Sequence, residues 1–170
     1  MSEYVKRAMQ ENEQILYAAQ LHWIIYNTGA LTTLVGALVG HYTNPLIRTF
    51  LGQSIVDFVG KPITYISIGI ICLGALELLA VFIRQISTEL VITNQRVIAK
   101  HGFVSTVSYE LMISKVEGAT IEQSVLGRML GYGTLMVKGT GGGISPIDHV
   151  ADPYRFHTHL MNSMHASTGP

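Results

Sequence analysis

Ile63–Gly102, ITYISIGIICLGALELLAVFIRQISTELVITNQRVIAKHG, changes character part-way, and that change decides how the chain is read. Ile63–Ile83 carries a single charged residue, Glu77, in an otherwise apolar run. Its length of about 20 residues is what a helix rising about 1.5 Å per residue needs to cross ~30 Å of hydrocarbon. From Glu89 the pattern is that of strands: Glu89–Thr93 and Val97–Lys100 flank the turn Asn94-Gln95-Arg96.

Upstream lies a second stretch of the first kind. Leu21–Gly40, LHWIIYNTGALTTLVGALVG, has no Asp, Glu, Lys or Arg. Two such segments fit the composition of the 170-residue chain, 48% hydrophobic and only 13% charged, about half the charged share of a soluble protein. Burying both as core helices would take more chain than the remainder supplies, so both are expected to span a membrane. The first begins too late, and follows Glu11 and Glu13 rather than a basic stretch, to be a cleaved signal peptide. Trp23 and Tyr42 suit the wet edges of the bilayer. Eleven basic and eleven acidic residues cancel, leaving no field to attract nucleic acid. Cys72 stands alone, which excludes an internal disulfide and any multi-cysteine zinc site.

Residues 1–20 form a lead-in and 21–84 a transmembrane hairpin. Within it, residues 45–60 place Leu46, Phe50, Ile55 and Phe58 on one helical stripe between Pro45 and Pro62. Such a stripe serves a short helix in the membrane interface or packing between the spans. Lys6 and Arg7 on one flank, and Arg84, Arg96 and Lys100 on the other, outnumber Arg48 and Lys61 in the connection, favouring both termini in the cytoplasm. Glu77, an acid within an apolar helix, is a candidate for ion handling or for a hydrogen bond to Thr32, Thr33 or Asn27. Gly36 and Gly40 form a GxxxG face able to seat another helix.

Beyond residue 85 the chain reads as successive antiparallel strands closed by a helix. Phe103–Leu111 alternates with period two, Lys115–Gln123 and Thr134–Lys138 are strand-like, and Ser124–Gly131 is a turn or a single helical turn. Ile144–Val150 completes the strands. Asp152-Pro153 starts a helix, with Asp as N-cap, and Tyr154, Phe156, Leu160 and Met161 fall on its apolar side. Spacing alone allows a barrel or a sandwich.

LVITNQRVIAKHG (Leu90–Gly102), IEQSVLGRMLGYGTLMVKGTGGG (Ile121–Gly143) and DPYRF (Asp152–Phe156), behind a hydrophobic hairpin and the lead-in ENEQILYAAQLHW (Glu11–Trp23), resemble the bacterial membrane-anchored PH-like (pleckstrin-homology-like) domain family. The resemblance implies a membrane α + β chain: a two-helix transmembrane hairpin, then a PH-like partly open β-barrel or sandwich over residues 85–166, capped by a C-terminal helix, on the cytoplasmic side of a bacterial inner membrane. It carries no enzymatic activity. Where related sequences place basic residues after the glycine matching Gly102, this chain has Phe103-Val-Ser-Thr-Val107, and six Lys/Arg balance six Asp/Glu from residue 85 onward. A polybasic headgroup site is therefore not expected.

The remaining motifs are judged by context. Gly139–Gly143 lacks the Lys-Ser/Thr pair and the following helix of a phosphate loop, so it reads as a loop between strands. Gly131-Tyr132-Gly133 gives a tight bend in which Tyr132 packs or exposes its hydroxyl. Arg128, in an apolar turn, either contacts a partner or headgroup or satisfies loop carbonyls and Glu122. His157 and His159 diverge on a helix, leaving His157 with His165 as the remaining metal pairing. No catalytic, cofactor or metal site is assigned. The expectation is a non-enzymatic, membrane-tethered recognition module, in a larger membrane complex or homo-oligomer. Its candidate contacts are Gly36, Gly40, Phe50, Glu77, Arg128 and Tyr132; the alternatives are a small transporter or channel subunit using Glu77, or lipid-headgroup sensing.

Overall fold

The computed structural model describes residues 13–102 and 107–168. These form two compact units: Trp23–Phe82, and the chain on either side of it.

The first unit is helical. α1 (Asn27–Leu51) and α2 (Gln53–Ser87) are separated by Gly52 alone, whose φ of 91° turns the chain out of the helix. The two antiparallel helices mesh at small residues. A Cβ on Gly29 would lie 2.9 Å from Leu78, on Gly36 2.9 Å from Ile71 and on Gly40 3.1 Å from Ser67, and one on Gly74 would run into Thr33. These contact positions recur every three or four residues on both helices, the spacing that keeps one face against a partner. Outward faces are apolar and uncovered: only 17% and 11% of the most apolar windows is buried, which is not how a core helix behaves. At about 1.5 Å per residue, α1 and α2 are about 37 and 52 Å long, so both are long and apolar enough to cross a membrane.

No separate helix covers residues 45–60. Pro45 lies inside α1 and Pro62 inside α2, so the expected stripe is divided between two long helices at Gly52. Leu46, Phe50 and Phe58 are exposed rather than packed between the helices. The start of the first apolar segment also differs: Leu21 is buried in the other unit, through a β-bridge to Val150.

The second unit holds two antiparallel sheets, ordered β1-β2-β3-β4 and β5-β6-β7. The strands are β1 (Ile15–Ala19), β2 (Glu89–Thr93), β3 (Arg96–His101), β4 (Val107–Met112), β5 (Val116–Glu122), β6 (Tyr132–Gly139) and β7 (Gly142–Ala151). Of the expected strand Phe103–Leu111, residues 103–106 lie outside the described residues. The lead-in is part of this domain, because β1 pairs with β2 from Ile15↔Thr93 to Ala19↔Leu90. The helical pair is thus an insertion between two neighbouring strands.

The core lies between the sheets and under a C-terminal helix. Leu90, Val91, Ile92, Val97, Ile98 and Ala99 are buried in one sheet, and Leu135, Val137, Ile144, Ile147 and Val150 in the other. β2 and β3 are buried on consecutive residues, as strands covered on both faces are. α4 (Pro153–Thr168) plugs one opening with Phe156 and Leu160, whereas Tyr154, expected on its apolar side, is exposed. Asp152 caps it as expected, its Oδ1 accepting the Arg155 N–H at 3.3 Å. Gly139 pairs with Gly142, which makes the glycine-rich segment a tight hairpin. On one side the sheets share main-chain bonds: beyond the Leu21↔Val150 bridge, His22 N–H donates to His149 O at 2.7 Å and Ala151 N–H to Gln20 O at 2.9 Å. Opposite, among the described residues, β4 pairs with β3 alone and meets β7 through a side-chain bond, Ser145 Oγ to Tyr109 OH at 3.1 Å, so the sheets do not close into a barrel.

Candidate interaction site

The register gives the strand domain two dissimilar ends. At one end the chain leaves for the helices after His22 and returns at Glu89, and Tyr132↔Ala151, His149 and Gly131 lie there too. At the other end are the Thr93–Arg96 turn, the Ile113–Lys115 turn and the Gly139–Gly142 hairpin.

At the crossing end, α3 (Val125–Leu130) joins β5 to β6. Ser124 caps it, its Oγ accepting the Gly127 N–H at 3.0 Å, and Gly131, at φ 79°, closes it in the left-handed conformation that costs a glycine least. Gly127 is buried because a Cβ there would lie 2.6 Å from Tyr132 O. Every other residue of the helix is exposed: Val125 66%, Leu126 61%, Met129 77% and Leu130 43%, with Arg128 exposed among them. The expected pairing of Arg128 with Glu122 or with loop carbonyls is absent: its side chain makes no hydrogen bond or ion pair among the described residues.

Tyr132 seats this helix. Its ring lies between those of His22, 5.3 Å away, and His149, 5.6 Å away, each within 30° of parallel. His149 adopts φ 59°, rare for a non-glycine residue, and its buried Nδ1 has no hydrogen-bond partner among the described residues. Asp152, at φ 46°, donates its N–H to Gly131 O at 2.8 Å. The last residue before the helical unit is therefore locked to the base of α3.

At the opposite end, a groove of about 450 Å³ runs along β4 and the glycine hairpin, lined by Arg96, Tyr109, Glu110, Met112, Lys115 and Thr140. Arg96 is held there by a largely buried network. Its Nε and Nη2 donate to Glu13 at 3.0 and 2.9 Å, and its Nη1 to Glu110 at 2.7 Å. The hydrogen bond to Glu13 raises the Arg96 pKa above its already high ordinary value.

The other singled-out residues lie in the helical unit. Gly36 and Gly40 seat this chain's own α2, so their small face is already occupied. Glu77 Oε2 accepts from Thr32 Oγ1 at 3.1 Å, and that hydroxyl also lies 3.0 Å from Thr28 O. Phe50 is exposed at the end of α1. The structure thus brings Arg128 and Tyr132 into one site and leaves Gly36, Gly40, Phe50 and Glu77 outside it. His22 and His149 were missed because their partner positions are far apart in sequence. The signal for α3 was available: a short turn apolar all round its circumference has no inward side to bury.

A family model described as a bacterial PH domain matches residues 30–164. The chain belongs to the bacterial PH domain family. The match runs through both helices and six of the seven strands, and starts after β1. No curated protein and no solved structure matches the chain. In this PH domain the two sheets and the closing helix are those the sequence resemblance implied.

Proposed function

We propose that the chain is a non-enzymatic recognition module tethered to the bacterial inner membrane, and a subunit of a larger membrane complex or homo-oligomer. α1 and α2 sit in lipid, and both ends of the chain are cytoplasmic. The carrying observation is the direct pairing of β1 with β2 across the helical insertion. Strands that hydrogen-bond to each other lie on one side of a bilayer, so the chain must return to the side it left and cross an even number of times. The Lys/Arg bias of the flanks favours the cytoplasmic side. Tethering raises the local concentration of the PH domain for membrane-bound partners and reduces the orientational freedom lost on docking.

The recognition surface is the main-chain edge of β4, unpaired among the described residues, with its adjoining groove. An unpaired strand edge offers main-chain donors and acceptors to an added strand. The groove beside it supplies Met112, 60% exposed, as an apolar contact. Native mass spectrometry of the full chain after mild detergent extraction is expected to show retained protein subunits, or a defined homo-oligomer. Met112→Asp is expected to remove them while both sheets still melt cooperatively. A bare monomer from gentle extraction overturns the reading.

A further inference from the structure

We infer that α3 is an interfacial foot: Val125, Leu126, Met129 and Leu130 enter the headgroup layer of the bilayer while Arg128 pairs with a lipid phosphate. The inference rests on the membrane-tethered reading above and adds a lipid contact made by the PH domain itself. Three independent observations lead to it.

The first is exposure. Four large apolar side chains on six residues are 43–77% exposed, so much of the apolar surface of α3 is uncovered in the domain. Soluble surfaces scatter such residues singly, whereas a contiguous cluster marks a binding face. The second is charge. Ser124–Gly133 contains no carboxylate, and Arg128 has no side-chain partner among the described residues. A guanidinium on an apolar foot matches a phosphate bidentately, and its aliphatic stem lies along apolar surface while the head reaches the polar layer. The third is place. Tyr132, directly after the α3 cap, stacks on His22, and His22 is joined by one peptide bond to the apolar helical unit. Both chain connections to the helical unit, after His22 and before Glu89, leave from the end of the strand domain that carries α3. A protein surface as occupant lacks the third argument, and so does a second copy.

A single cation does not make a headgroup-selective pocket, so the contact is with the phosphate shared by phospholipids and not with one headgroup. The foot orients the domain: with α3 in the headgroup layer, the groove at the opposite end of the strands is presented to the cytoplasm.

The test uses the full chain in phosphatidylglycerol/phosphatidylethanolamine liposomes, with an environment-sensitive thiol probe and lipids carrying nitroxide quenchers at shallow or deep positions. Native Cys72, exposed on α2, reports the tether. In a Cys72→Ser background, Met129→Cys reports the foot and Thr140→Cys the far end. Deep quenching at Cys72 is expected, with shallow quenching at position 129 several-fold stronger than at position 140 and weakened by Arg128→Glu. Quenching at Cys72 with equal, weak quenching at 129 and 140 overturns the foot and leaves the tether standing. No quenching at Cys72 overturns both. Cross-linking of position 129 between copies, without lipid quenching, assigns the face to a second copy and overturns the inference.

Discussion

Among single residues, Glu13 and Glu110 hold the same guanidinium with unequal consequence. The Glu13 side chain is wholly buried and also accepts from Thr93 Oγ1 at 2.8 Å, while Glu110 is 39% exposed. Removing one member of a buried pair costs about 3–5 kcal/mol, whereas an exposed partner is worth about 1 kcal/mol or less. Chemical denaturation of Glu13→Ala and Glu110→Ala is expected to show that contrast, and equal losses would contradict the burial. Tyr17 gives a pH signature. Burial against Phe156 and His159, then the Asp152 charge, raise its phenol above the ordinary value. A raised folded-state pKa means this contribution is complete below pH about 10 and is lost as pH rises through the folded value. Alkaline thermal melts are expected to fall in that range, and Tyr17→Phe to flatten the fall. Glu77→Gln preserves the bond to α1, because the amide can donate to Thr32 Oγ1 while that hydroxyl donates to Thr28 O. The expected outcome is an unchanged melt in detergent and no proton flux in liposomes for either form. Flux abolished by the substitution would instead support a transporter subunit.

Among elements, β1 decides which fragments fold. Residues 85–166, the domain expected from sequence, leave the β2 edge bare and remove Tyr17 from α4. That fragment is expected to melt without cooperativity by circular dichroism, and joining residues 13–22 to it through a short Gly/Ser turn is expected to restore a cooperative transition. The helices, the β2–β3 hairpin, the Asp152 cap and the β6–β7 strands were legible because each is signalled within a dozen residues. β1 was not: ILYAA is too short to declare itself, and its partner is encoded beyond the entire helical insertion. The prolines misled for a different reason. A proline forfeits one hydrogen bond, which a long helix in apolar surroundings tolerates, while Gly52 with positive φ reverses the chain. Sequence left two readings of Arg128 open, an outward contact or service to its own loop, because an apolar turn can also read as core. Only the fold reveals that every residue of that turn but Gly127 is exposed.

For the whole molecule, the small-residue seam between α1 and α2 sets what assembly can use. With Gly36, Gly40 and Gly74 consumed within one chain, self-association must employ the outer faces or the PH domain. Gly74→Val is expected to cost about 1–3 kcal/mol through overpacking and to loosen the helical pair, read as a lower melting temperature in detergent with the strand domain intact. Reporter tags at the two termini are expected to be digested together in inverted-vesicle proteolysis assays, where the cytoplasmic face is outermost, because β1 and β2 cannot pair across a bilayer. Protection of only one would overturn the even number of crossings.

The insertion of the helices between paired strands also has a consequence for biosynthesis. Glu13 and Thr93 are 80 residues apart, which at ~5–20 residues per second is about 4–16 s of translation. Throughout that interval the first strand leaves the ribosome without its mate, while the apolar segments behind it demand delivery to lipid. Maturation is therefore gated by the last-made partner, and a nascent chain stalled before Leu90 would offer a protease its N-terminal strand.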